Sequence, residues 1–167
     1  SRDLLLLGVT GTNGKTTTAF LMEAGLRAAG HRTALLGTLT RIEDELVDKS
    51  WITNPEATDL HAFLAVVRER GITAVAMEVS SHALSLGRVN GLVLDVAAFT
   101  NLSQDHLDFH ANMQAYEAAK AQLFTPARAT RAVLNCEDPA GRRILHATTL
   151  PFTTYGEDGD WQAKAVD

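Results

Sequence analysis

Gly8-Val9-Thr10-Gly11-Thr12-Asn13-Gly14-Lys15-Thr16-Thr17-Thr18 follows the apolar run Leu4 to Leu7 and precedes a helical pattern carrying Phe20, Leu21, Ala24, Leu26 and Ala28. Strand, glycine-rich turn, Gly-Lys-Thr and helix is the layout of a phosphate-binding loop. Glycines let backbone N–H groups approach an anion, and the helix N-terminus adds the positive end of its dipole. In such a loop Lys15 reaches the terminal phosphates and the Thr16 hydroxyl sits on a magnesium ion. One position departs from the common spacing: Val9 stands where the first glycine is expected, with Gly8 and Gly11 on either side of it.

The flanking pattern alternates in the manner of an α/β domain. Gly30 reads as the stop of the first helix, and Thr33 to Gly37 as a second strand. Thr38 to Thr53 reads as a hairpin or a long surface excursion, and Asn54-Pro55-Glu56 as a turn. Asp59 is placed to cap a helix through Leu60, Phe63, Leu64 and Val67 to Gly71. Ile72 to Val79 and Leu92 to Phe99 are near-continuous apolar runs, as strands covered on both faces should be. Asn112 to Phe124 is helical, Arg131 to Asn135 a strand, Pro139 to His146 a helix and Leu150 to Tyr155 a last strand. Gly156 to Asp160 is a turn-rich exit. The expectation is a doubly wound, mostly parallel sheet with a phosphate loop after its first strand.

The bulk composition narrows the function classes. With 167 residues, 46% hydrophobic and 21% charged, the chain is long enough for one domain with a sizeable core. A net charge of −5 without a basic cluster gives no reason to expect nucleic acid as a partner. The single Cys136 excludes an internal disulfide framework and fits a reducing, cytoplasmic setting. No apolar run approaches a membrane span, so no membrane is expected as a partner. The chain starts at Ser1 and stops at Asp167 in a polar stretch, as an excised piece of something longer would.

Ligands of open parallel sheets bind beyond the carboxyl ends of the strands, so the residues just after each strand matter most. Glu78 ends the apolar run Ala74-Val75-Ala76-Met77, and a carboxylate there is costly unless it is paired or holds a metal. Beside a phosphate loop the natural task is Mg²⁺ ligation; the plainer reading is a strand-end carboxylate facing solvent. Thr100 to His110 packs two histidines and two aspartates directly behind a buried strand, which favours a site over chance, though spacing does not say which of them points inward. Lys120 follows Tyr116 by four residues and precedes Leu123 by three, so it shares their apolar helix face. It either snorkels from the edge of that stripe or is desolvated with a lowered pKa. A neutral amine of the second kind can add CO₂ and become a carbamate, a metal ligand of carboxylate type. Asp95, interrupting an apolar strand near its start, reads as structural.

Several of these stretches together resemble the Mur ligase family. Thr10-Gly11-Thr12-Asn13-Gly14-Lys15-Thr16 is similar to that family's ATP loop, including its departure from the common glycine spacing. Glu78-Val79-Ser80-Ser81-His82, the run Phe99 to His110, and Tyr116-Glu117-Ala118-Ala119-Lys120 resemble its MurE branch, in the family's order. The resemblance implies an ATP-dependent amide-forming ligase of peptidoglycan synthesis. Such an enzyme phosphorylates the terminal carboxylate of UDP-MurNAc-L-Ala-D-Glu and couples the acyl phosphate to the third amino acid, a diamino acid as a rule.

Residue by residue, the resemblance implies ATP contacts at Gly11, Thr12, Asn13, Gly14, Lys15, Thr16 and Thr17. It implies Mg²⁺ ligation by Thr16, Glu78, His106 and a carbamylated Lys120, with Lys15, His106 and Lys120 as the catalytic set. Thr53, Asn54, Ser80 and Arg88 match positions that bind the UDP-MurNAc substrate. Asn54 stands where relatives often carry threonine, and Leu86 where some carry glutamine. The family pattern also implies that residues 1–167 are part of a central ATP-binding domain, without the N-terminal UDP-binding and C-terminal domains. On that reading the whole protein is a monomer, and this chain alone holds nucleotide weakly and does not ligate. The sister MurD, MurF and folylpolyglutamate ligases, or a non-catalytic nucleotide-binding module, are the alternatives.

Overall fold

The computed structural model describes residues 4–43, 45–46, 57–105 and 108–163. The chain runs β1 (Leu5–Thr10), α1 (Lys15–Ala28), β2 (Thr33–Leu36), β3 (Arg41–Ile42), β4 (Glu45–Leu46), α2 (Ala57–Glu69), β5 (Ala74–Glu78) and α3 (Ser81–Ser85). It continues as β6 (Val96–Phe99), α4 (Met113–Ala121) with a 3₁₀ turn at Gln122–Phe124, β7 (Ala132–Asn135), α5 (Pro139–Ala147) and β8 (Phe152–Tyr155). Among the described residues these strands form one sheet in the order β4-β3-β2-β5-β1-β6-β7-β8. From β2 to β8 every neighbour pair is parallel, and β3 and β4 add an antiparallel hairpin at one edge.

Both faces are covered, which is why the central strands read as unbroken apolar runs rather than alternations. One face packs Leu6, Val75 and Met77 against Leu60, Phe63 and Val67 of α2, Leu123 and Phe124 after α4, and Ile144 of α5. The other packs Val9, Ala74, Ala76 and Ala98 beneath Ala19 and Leu26 of α1. The small alanines on that side let α1 lie close to the sheet, which brings its N-terminus directly over the end of β1. Each fully buried valine, leucine or isoleucine side chain in the two layers is worth about 1.5–3 kcal/mol.

The doubly wound sheet follows the sequence reading closely, and its local differences have simple causes. The strand expected from Leu92 is ordered as a strand only from Val96; before it, Leu94 makes an isolated bridge to Ala129. Asp95 gives the reason: its carboxylate accepts the Leu6 N–H at 2.8 Å, pinning the strand entrance from the side, a structural role as expected. Asp59 lies inside the first turn of α2, two residues past its start, so it complements the helix dipole rather than capping it. The expected hairpin after β2 is present as β3 and β4; the expected turn at 54–56 lies outside the described residues.

Candidate functional site

The chain reverses its direction of travel across the sheet at β1, with β5 on one side and β6 on the other. The loops after these three strands therefore meet in one crevice. The first is the phosphate loop. Gly14 takes a φ of 82° at the start of α1, a left-handed setting that glycine adopts without penalty. At Gly11 a Cβ would collide with the Thr100 hydroxyl, so only glycine lets the segment after β6 close on the loop.

Helix ends set this loop apart from the starts of α3, α4 and α5. Ser80 caps α3, Asn112 caps α4 and Asp138 caps α5, each accepting a first-turn N–H with its side chain. α1 has no side-chain cap. Its first-turn N–H groups lack intrahelical partners and point beyond the end of β1, ready for an anion.

The loop's shape is imposed by its neighbours. Thr12 donates its N–H to Asn101 O at 2.8 Å, and Asn13 donates its N–H to the Asn101 side chain at 3.0 Å. Asn13 O accepts the Thr100 hydroxyl at 2.7 Å, and the Thr12 hydroxyl accepts the Ser103 N–H at 3.0 Å. Lys15 folds its amine back onto Gly11 O at 3.0 Å and Thr12 O at 2.8 Å. Burial lowers its pKa, against the attraction of Glu78 and Asp105. Thr17 is exposed on the first turn of α1.

Glu78 projects from the end of β5 toward the loop. Its carboxylate accepts the Thr16 hydroxyl at 3.1 Å and the Thr38 N–H at 2.8 Å. Gly37 makes the room: a Cβ there would overlap the Glu78 carboxylate. Thr16 and Glu78 together offer hydroxyl and carboxylate oxygens, the donor set of a hard divalent cation. Thr38 is a contact that sequence reasoning missed, because its stretch read as a surface excursion.

Lys120 does not snorkel. It is almost fully buried, donates to Gly11 O at 2.8 Å and lies 4.4 Å from the centre of the Tyr116 ring. Burial first, and the nearby positive charge of Lys15 second, push its pKa down to about 7, against a raising pull from Asp105. Two lysines from distant parts of the chain thus share one carbonyl of the phosphate loop.

A hollow of about 310 Å³ opens beside Lys15 and Glu78, and its wall includes Thr38, Ser80 and Arg88 as well as the apolar Leu60 and Val89. Two of the residues matched to substrate binding, Ser80 and Arg88, therefore face the same space as the phosphate-loop lysine. A larger hollow of about 400 Å³, walled by Leu6, His61 and Arg68 among others, lies where the strands begin, at the wrong end of the sheet for this chemistry. His106, Thr53 and Asn54 fall outside the described residues. Among the described residues no group of three or more His, Cys, Asp or Glu side chains converges as a metal cluster, and no helix is long and apolar enough to cross a membrane.

Comparison with known proteins agrees with this geometry. Residues 9–166 match the model of the Mur ligase middle domain. The chain is 56% identical to the UDP-N-acetylmuramoyl-L-alanyl-D-glutamate--2,6-diaminopimelate ligase of Streptomyces coelicolor, over 99% of this chain and 33% of that protein. A solved structure of a ligase of the same name superimposes with a TM-score of 0.88 at 32% identity, covering 98% of this chain and 35% of the other. The bifunctional folylpolyglutamate synthase/dihydrofolate synthase of Yersinia pestis, solved with AMPPNP and a Mn ion, shares the fold at a TM-score of 0.67 and 21% identity, over 92% of this chain and 43% of that one. The chain thus spans about a third of the length of the curated relatives it matches. With an uncapped phosphate loop at the switch point of its sheet and a family match over nearly its whole length, the chain belongs to the Mur ligase family, whose middle domain it carries.

Proposed function

We propose that this chain is the ATP-handling part of a cytoplasmic ligase that joins a diamino acid to UDP-MurNAc-L-Ala-D-Glu. The observation that carries the reading is the convergence of Lys15, Thr16, Glu78 and Lys120, from three separate elements, on one uncapped helix N-terminus. The names of the relatives favour 2,6-diaminopimelate as the added residue. The 56% identity to one such ligase, against 21% to the folylpolyglutamate synthase, favours this branch over its sister.

Gly11, Thr12, Asn13, Gly14, Lys15, Thr16 and Thr17 bind the phosphates of ATP. Lys15 exchanges its two loop carbonyls for phosphate oxygens and neutralises their charge. A carboxylate oxygen of the acceptor, held near Ser80 and Arg88, attacks the γ-phosphorus, and the bond to the β–γ bridging oxygen breaks, releasing ADP. The diamino acid's amine then attacks the acyl carbon, loses a proton and expels phosphate, leaving an amide. A divalent cation, when bound, offsets the charge that builds on the phosphates. Thr16 and Glu78 would hold it, with His106 and carbamylated Lys120 completing the set. Thr53 and Asn54 are assigned to acceptor binding by the family resemblance alone. The lowered pKa of Lys120 supports carbamylation, since near neutrality much of its amine is uncharged and can attack CO₂.

Transplanting residues 1–167 in place of the matching segment of the Streptomyces coelicolor relative tests this reading. Phosphate release that needs ATP, UDP-MurNAc-L-Ala-D-Glu and diaminopimelate together is expected, with lysine and ornithine as poor substitutes. A folded chimera that releases none overturns it. Incubation of the chain with ¹³C-bicarbonate should give a carbamate carbonyl resonance that is absent in Lys120→Met; no such resonance removes the carbamate.

A further inference from the structure

A buried string of polar side chains joins the phosphate loop to the turn that carries Ser80. The Thr12 hydroxyl is 3.2 Å from the Tyr116 hydroxyl, in a buried contact. The Tyr116 ring packs on the His110 ring with centroids 5.1 Å apart. His110 Nε2 lies 2.9 Å from the Ser81 hydroxyl. Tyr116, His110 and Ser81 are all nearly sealed from solvent.

Three features separate this string from ordinary core filling. An apolar residue at any of these positions would avoid the cost of burying a hydroxyl or an imidazole, about 1–3 kcal/mol each when unpaired. Instead the Tyr116 hydroxyl pairs with Thr12 and His110 Nε2 with Ser81, while the two rings pack on each other. The string also begins and ends at the two halves of the candidate site. Thr12 belongs to the loop that also receives Lys15 and Lys120, and Ser81 follows Ser80, whose hydroxyl caps α3 at 3.1 Å from the Ala83 N–H. The strand ladder between β1 and β5 holds these halves together only as far as the Val9–Glu78 pair and the Val79-to-Val9 hydrogen bond. Beyond that point the two strands part, and Tyr116 of α4 and His110 just before that helix lie between Thr12 and Ser81. His82 and Phe109, with ring centroids 4.1 Å apart, flank His110 and leave it little freedom to turn.

We propose that Tyr116 and His110 are positioning residues that fix the Ser80–Ser81 turn relative to the phosphate loop, so that occupation of the loop by nucleotide is transmitted to the side of the site that receives the acceptor. Neither residue needs to touch ATP or the acceptor. The inference rests on the nucleotide reading of the loop given above.

The test is nuclear magnetic resonance of the isotopically labelled chain titrated with Mg·ADP. In the unsubstituted chain, the amides of Gly11 to Thr16 report binding, and the His110 ring and the Ser81 amide are expected to shift with the same saturation curve. Tyr116→Phe keeps the ring and removes the hydroxyl that meets Thr12. The loop amides should still respond, while the ADP-induced shift at His110 and Ser81 is lost. Ser81→Ala, cut at the other end, should leave the His110 ring responsive and silence the turn. Equal shifts at His110 and Ser81 in Tyr116→Phe and in the unsubstituted chain overturn the proposal, as does a loop that saturates while His110 and Ser81 stay still. Loop amides that never respond in the unsubstituted chain overturn the nucleotide reading itself and this inference with it. The unliganded spectra show whether each variant is folded.

Discussion

Glu23 on α1 and Lys120 on α4 are both charged side chains sealed from solvent, at 2% and 1% exposure, yet the molecule treats them in opposite ways. Glu23 is surrounded by donors: Arg27 at 2.5 Å, Arg41 at 3.2 Å and the Thr33 hydroxyl in a short hydrogen bond. Burial raises its pKa, but the hydrogen bonds and the two guanidinium charges more than reverse that, and the carboxyl ends below its ordinary range. Among the described residues one carbonyl and an aromatic ring face the Lys120 amine, with a raising pull from Asp105 that burial and a second lysine nearby outweigh, and its pKa falls to about 7. A buried charge that the fold offsets completely ties elements together, here α1 to β2 and β3. A buried charge left poorly offset is costly for the fold and marks a group whose neutral form is useful.

The widest separation between the two comes from pH. The Lys120 pKa is about 7 in the folded chain against an ordinary 10.5, so above neutrality the unfolded chain holds a proton that the native state has shed. Linkage then makes stability rise with pH between those values, by up to about 5 kcal/mol from this group. Urea unfolding at several pH values should show that rise in the unsubstituted chain and not in Lys120→Met, which at neutral pH should be at least as stable. Parallel stability curves for the two proteins would break the contrast.

Glu23→Ala should move stability the other way. Removing the acceptor takes from Arg27, Arg41 and Thr33 the hydrogen bonds they make to it beneath α1, at a cost of about 3 kcal/mol at neutral pH in the same unfolding measurement. Because its folded pKa lies below the ordinary 4.5, Glu23 contributes stability that is present above that value and disappears as pH falls through the folded one. The acid limb of the stability curve should therefore flatten in Glu23→Ala. Thr33→Val is the finest of these cuts. It withdraws one hydrogen bond from Glu23 while keeping its two arginines, and should cost about 1 kcal/mol in the unfolding midpoint. A loss as large as that of Glu23→Ala would place the hydroxyl, and not the arginines, at the centre of the network.

Both residues were only partly legible beforehand. Glu23 sits among ordinary helix residues, and nothing in its neighbourhood announces that Thr33 and Arg41 fold back onto it. Lys120 could be placed on an apolar helix face by its spacing from Tyr116 and Leu123, but spacing favoured snorkelling, and only the family resemblance favoured burial. Leu92 to Val96 looked like strand because it is apolar, whereas Asp95 turns its carboxylate to the Leu6 N–H and delays the start of β6. Gly37 reads as a strand end and Thr38 as the start of a surface excursion, with no motif to mark a site, yet Thr38 holds the carboxylate of Glu78 and Gly37 makes room for it. His106, Thr53 and Asn54 rest on the family resemblance.

The alternation of apolar runs and amphipathic helices and the glycine-rich loop between Gly8 and Thr18 are written in residues close together in the chain, and so were legible without the fold. Which distant groups share the crevice is settled in three dimensions: Lys120 reaches Gly11 across more than a hundred residues, Glu78 meets Thr16, and Tyr116 and His110 bridge the loop to Ser81. Side-chain burial and charge compensation depend on what the fold packs around a group, and periodicity in one segment does not contain that.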